Sequence, residues 1–191
     1  MTEKDGRSPD ARPADADARP ADYLPFERLT ATRYRDLLAE MDRHVELEDA
    51  LDCARIEADT DPLTGLLNRR GLERRTAARD WGWFVAIDLD GFKSAQDHHP
   101  DGHSYGDGIL RELAAFLRDS IRSGDVLASR KGGDEFLVWV ETRAGARRIR
   151  DAVRAWRSAD GKVGASAGLG RTPDAADAAC YLDKKEKDRE G

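Results

Sequence analysis

The stretch Arg130-Lys131-Gly132-Gly133-Asp134-Glu135-Phe136 lies between two short apolar runs, Val126–Ala128 and Phe136–Val140. Two strand-like runs joined by a Gly-Gly pair predict a β-hairpin with its turn at Gly132 and Gly133. The glycines allow positive φ and close approach of a ligand to the backbone. Two adjacent carboxylates at the turn are poor strand formers and repel each other unless a cation is near. Read alone, the stretch also suits an ordinary solvated hairpin tip.

A second stretch narrows the choice. Trp81 to Asp90 is an apolar strand ending in Asp88 and Asp90. Being apolar at successive positions, it predicts a central strand covered on both faces. Asp88 and Asp90 are two residues apart and share one face. Carboxylates at the mouth of a buried strand cost free energy unless paired or metal-bound. Two acidic tips on neighbouring strands, with oxygen ligands only, suit Mg²⁺ better than zinc.

Four motifs then stand in order between Asp61 and Phe136. Asp61-Pro62-Leu63-Thr64-Gly65-Leu66-Leu67-Asn68-Arg69-Arg70 is followed by Asp88-Leu89-Asp90-Gly91-Phe92-Lys93, by Gly102-His103 with Gly106-Asp107, and by Gly132 to Phe136. Together they resemble the GGDEF domain family of diguanylate cyclases. The resemblance implies an α+β fold with a palm-like, ferredoxin-related, antiparallel-containing sheet covered by helices. It implies condensation of two GTP to cyclic di-GMP and two pyrophosphates at a Mg²⁺ (or Mn²⁺) site shared by a homodimer. It assigns Asp88, the Leu89 carbonyl and Asp134 to metal, with Glu135 beside them, and Asp134 or Glu135 to deprotonation of a ribose 3′-OH. Gly91, Phe92 and Lys93 would bind phosphate, as would Lys184; Gly132 and Gly133 would let substrate approach the hairpin. Gln96 and Asp107 would read guanine.

Three departures from the family pattern carry expectations. The family has Asn where this chain has Gln96, and the following loop, Asp97 to His103, is two residues longer. His98, His99 and His103 read as solvated loop histidines rather than a transition-metal site. The closing A-K-x-x-G-R motif is altered to Asp183-Lys184-Lys185-Glu186-Lys187-Asp188-Arg189. The family's inhibitory product site, R-x-x-D, stands five residues before the glycines; Arg122 and Asp125 supply the residue types with six intervening. An odd shift turns strand side chains to the opposite face, so weak or absent product feedback is expected.

Residues 1–26, rich in Ala, Asp, Arg and Pro, cannot bury enough surface to offset ordering and are expected to be a disordered tail. Residues 27–59 contain no Pro or Gly and predict one long helix preceding the 60–191 domain. Its apolar groups, from Tyr34 to Leu51, suit either packing on the same domain or an imperfect coiled coil joining two chains, with His44 and Glu48 interrupting the seam. The two-chain chemistry implied by the resemblance favours the coiled coil. Further helices are expected over Arg69 to about Arg79, Tyr105–Ile121, Ala144–Trp156 and Asp174 to about Asp188, and a strand over Lys162–Gly168. The net charge of −6 argues against a nucleic-acid partner. Cys53 and Cys180 lack metal spacing and suit a reduced, cytoplasmic setting. No apolar run is long enough to span a membrane, and the acidic N-terminus does not resemble a signal peptide. The competing functional expectation is a catalytically weak GGDEF module that binds GTP or a protein; a weaker one is a nucleotidyltransferase with altered base choice.

Overall fold

The computed structural model describes residues 31–120 and 126–190. The expected tail, the start of the long helix at Glu27, and Arg122 and Asp125 lie outside the described residues. The chain divides into two units, residues 1–50 and 51–191. Helix α1, Ala31–Asp59, begins in the first and ends in the second. Along it, Leu37, Leu38, Met41, Val45 and Leu47 are 41–58 % exposed.

The second unit holds a five-stranded sheet of β1 (Leu67–Asn68), β2 (Trp83–Asp90), β3 (Val126–Gly132), β4 (Glu135–Val140) and β5 (Gly164–Gly170), in the order β1-β3-β4-β2-β5. Strand β2 runs antiparallel to both β4 and β5, β3 antiparallel to β4, and β1 parallel to β3. The helices are α2 (Arg69–Thr76), α3 (Phe92–His98), α4 (Gly102–Ser120), α5 (Arg143–Ala155) and α6 (Pro173–Glu190).

Strand alternation divides the core. Val85, Ile87 and Leu89 of β2, with Phe136, Val138 and Val140 of β4, pack against Leu113 and Leu117 of α4 and Ile149 and Val153 of α5. Ala86, Leu137 and Trp139 face the other way, onto Leu72 of α2 and Ala176 and Cys180 of α6. Both faces are covered, which is why β2 is apolar at successive positions. Asp88 and Asp90 continue the Ala86 face, so the period of two delivers both acids to α6.

Helix α6 approaches β5 closely because β5 is built from small residues. A Cβ on Gly168 would lie 2.0 Å from the Cys180 nitrogen, and one on Gly170 2.3 Å from the Ala176 nitrogen. Asn68 caps α2, accepting from Gly71 N at 2.8 Å.

Several expected boundaries move. The hairpin loop is Gly133-Asp134 rather than Gly132-Gly133: Gly132 pairs with Glu135, and the register shifts between Arg130 and Gly132. The irregularity at Lys131 consumes one residue and pushes the turn one position on. Helix α3 forms where no helix was expected, and only its last two residues, Asp97 and His98, belong to the expected loop; seven residues anchored through Phe92 and Ala95 give little periodic signal. The long loop before the second helix of this pair shrinks to residues 99–101, since α4 starts at Gly102 instead of Tyr105. Helix α2 stops at Thr76, three residues early, and β5 is displaced two residues towards the C-terminus. Strand β1 is too short to leave a pattern.

Candidate active site

Asp88 of β2 stands directly opposite Glu135 of β4. Cross-strand partners of like charge destabilise a sheet unless cations neutralise them. Two lysines do so. Lys184 of α6 donates to the Asp88 carboxylate. Lys131 donates to Asp177 Oδ2 at 2.6 Å and lies 3.8 Å from Glu135 Oε2. Asp88, Glu135, Lys131, Lys184 and Asp177 line one cavity of about 230 Å³, with Tyr181 at its edge. Burial opposes the Lys184 charge, but the Asp88 hydrogen bond and the charges of Asp88, Asp90 and Asp134 outweigh it and raise its pKa above the ordinary value. The Asp177 hydrogen bond does the same for Lys131.

The hairpin tip is clamped from one side. Gly133 takes φ +54°, the left-handed region that the first position of a tight hairpin loop can require. Its carbonyl accepts from Arg130 Nε at 3.0 Å and Nη2 at 2.8 Å. Arg130 Nη1 also reaches Asp61 Oδ2 at 3.2 Å, while Asp61 Oδ1 accepts from Thr64 N at 2.9 Å and Thr64 Oγ1 at 2.6 Å. The segment following α1 is therefore tied to the turn that carries Asp134.

The remaining predicted site residues surround a different part of the domain. Gly91 takes φ +74° at the start of α3, Phe92 packs on the core, and Lys93 is exposed on the first turn. Gln96 lies over α4: a Cβ on Gly106 would meet its Nε2 at 2.5 Å, and Nε2 lies 3.1 Å from His103 Nδ1. Asp107, one residue on, is half-buried. Gln96 and Asp107 thus belong to the packed α3–α4 pair, and neither lines the Asp88 cavity. The histidines are engaged separately. His99 stacks on Tyr105 with centroids 4.0 Å apart, and His98 Nδ1 donates to Ser94 O at 2.7 Å.

Sequence reasoning passed over Arg130, Lys131 and Lys187. Their signal was indirect: acids at Asp61, Glu135 and Asp90 each required a cation, but the sequence does not say which one.

The cavity's donors fit a hard divalent cation. Asp88 and Glu135 offer oxygens, and Lys184 already stands at Asp88 as a positive charge. Among the described residues no three His, Cys, Asp or Glu side chains form a ready cage. Mg²⁺ is commonly held by one or two carboxylates plus substrate phosphates, so this donor set suits it.

A family model described as diguanylate cyclase, GGDEF domain, matches residues 58–188. The chain is 37 % identical over 155 residues to the probable diguanylate cyclase DgcE of Escherichia coli K12, covering 66 % of this chain and 14 % of DgcE. It is 34 % identical over 175 residues to the response regulator PleD of Caulobacter vibrioides, covering 78 % of this chain and 36 % of PleD. The chain therefore spans a small part of the lengths of these relatives. Among solved structures, the coiled coil and GGDEF domain of DgcB from Caulobacter crescentus, in complex with c-di-GMP, matches with TM-score 0.61 and 25 % identity over 81 % of this chain and 94 % of that one. The diguanylate cyclase SiaD of Pseudomonas aeruginosa, in complex with its activator SiaC, matches with TM-score 0.58 and 31 % identity over 81 % of this chain and 69 % of that one. The fold, the ordered motifs and the extent of these matches lead to one conclusion: the chain belongs to the GGDEF domain family of diguanylate cyclases.

Proposed function

We propose that the protein is a diguanylate cyclase, condensing two GTP to cyclic di-GMP and two pyrophosphates at a site shared by two chains. The observation that carries this reading is the pairing of Asp88 with Glu135 across β2 and β4, beside Lys184 and next to the clamped Gly133-Asp134 turn. Each chain would hold one GTP, with its 3′-OH facing the α-phosphate on the partner. In each half-reaction the 3′ oxygen bonds to that phosphorus, the bond to the β-phosphate oxygen breaks, and pyrophosphate leaves. Asp134 or Glu135 takes the 3′-OH proton. Lys184 and Lys93 neutralise phosphate charge, with the Gly91-Phe92 backbone beside them. Asp107 accepts from the guanine N–H groups, and Gln96 supplies an amide near the same edge. Asp88, the Leu89 carbonyl and Asp134, with Glu135 beside them, would hold Mg²⁺ or Mn²⁺, which supplies charge neutralisation at the phosphates.

One chain cannot close the ring, so pairing controls the rate. The exposed apolar groups of α1 support a helix that joins two copies. The lysine at Asp88 and a second at Asp90 favour, as an alternative, a module that binds GTP without turnover. Purified protein incubated with Mg²⁺ and GTP, with nucleotides resolved by chromatography, tests the first reading. Cyclic di-GMP is expected from wild type and none from Asp134→Ala/Glu135→Ala. Wild type that makes no cyclic dinucleotide at high protein concentration would leave the binding module.

A further inference from the structure

Asp88 and Asp90 share one face of β2 but have unlike surroundings. Both Asp90 oxygens are engaged: Oδ1 accepts from Ser166 Oγ at 2.7 Å, and Oδ2 from Lys187 Nζ at 3.0 Å. Ser166 is fully buried. Lys187 Nζ also donates to the Ala165 carbonyl at 2.6 Å and lies 3.8 Å from Asp183 Oδ2. Its three donors are surrounded by oxygens from β2, β5 and α6. Asp183 is itself buried, accepting from Ala167 N at 3.0 Å and pairing with Arg154 of α5 at 2.8 Å. Lys184 is less constrained: it reaches Asp88, borders the open cavity, and its side chain is 36 % exposed.

We propose that Lys187 and Ser166 sequester Asp90 as the anchor of α6, leaving Asp88 rather than Asp90 to exchange its lysine for a divalent cation. Lys187 is then a positioning residue. Residues three apart on a helix share a face, so fixing Lys187 on Asp90 also sets Lys184 over Asp88. Charge-assisted bonds to both oxygens of Asp90 are strong, and releasing it requires breaking contacts to β5 and α6 together. Asp88 needs to give up one ammonium, on a side chain that borders the open cavity. This inference rests on the divalent-cation reading of the Asp88 cavity.

The test is nucleotide-free Mn²⁺ titration of the full chain, with free Mn²⁺ read by electron paramagnetic resonance, so that it does not depend on turnover. Ser166→Ala/Lys187→Met frees Asp90 to join Asp88 and should tighten Mn²⁺ binding about tenfold, the scale of one added charge-assisted contact. Adding Asp90→Asn should return the affinity to the wild-type value, and Lys187→Arg alone should leave it unchanged. If the double variant fails to fold by circular dichroism, Lys187→Met alone should give about a threefold gain, since Ser166 still holds one oxygen. A folded variant whose affinity is unchanged or weaker overturns the proposal, as does a gain that survives Asp90→Asn. Should wild type prove inactive with GTP while the variant still gains Mn²⁺ affinity, the cyclase reading falls and the anchor stands.

Discussion

Asp61 and Arg130, 69 residues apart, form a 3.2 Å ion pair whose side chains are only 15 % and 18 % exposed. The same guanidinium holds the Gly133 carbonyl, so one arginine joins the segment after α1 to the turn carrying Asp134. Any displacement of that segment has a short polar path to the signature hairpin.

Arg130→Ala should therefore lose most product formation while the domain still folds. Losing a partly buried pair and two bonds to a carbonyl costs on the order of 1–3 kcal/mol. Arg130→Lys should recover charge but not activity, because an ammonium lacks the planar fork. Urea unfolding and the nucleotide assay, run on the same samples, separate the two effects.

Contact between β5 and α6 makes Gly168 intolerant of a side chain. A Cβ there meets backbone nitrogen at 2.0 Å, which cannot rotate away. Gly168→Ala should cost about 3 kcal/mol or more, and should weaken nucleotide binding by lifting Lys184 from Asp88. Thermal melting and titration with a fluorescent GTP analogue measure these; a variant as stable as wild type would disprove the close approach.

The proposed pairing of two chains predicts a concentration dependence. Specific activity should rise with protein concentration, and removal of residues 1–58 should lower it at any given concentration. A shortened chain that stays fully active when dilute would argue against pairing through α1.

Base choice is expected to rest on Asp107 more than on Gln96. Holding the extra rotor of Gln costs a few tenths to about 1 kcal/mol, so Gln96→Asn should leave GTP affinity equal or better. Asp107→Ala should damage it severely. Loss of activity in Gln96→Asn would mean that the Gln96–His103 contact, absent from the sequence reading, shapes the pocket.

The two thiols should react unequally. Cys53 is exposed on α1, whereas Cys180 is buried, with its thiol pushed up to about 12 by burial and then by nearby carboxylates, Asp88 first. One thiol per chain should react rapidly with a disulfide reagent at pH 8, and two in denaturant; Cys53→Ser should abolish the fast phase.

What the sequence by itself determined was local or periodic. The apolar run of β2, its two acids on one face, the Asn68 cap and the amphipathic α4 and α5 follow from spacings of two, three and four residues, though the ends of these elements move, as at Gly102 of α4. The ordered motifs likewise identified the family before any geometry was known. Tertiary structure decided everything that depends on which distant charges meet. It made Arg130 the partner of Asp61, gave Asp88 to Lys184 and Asp90 to Lys187, and formed α3 where no helix was expected. These choices depend on strand register and on how closely α6 can approach β5. A helix one residue out of step would pair the same acids with different lysines while the sequence pattern stayed the same.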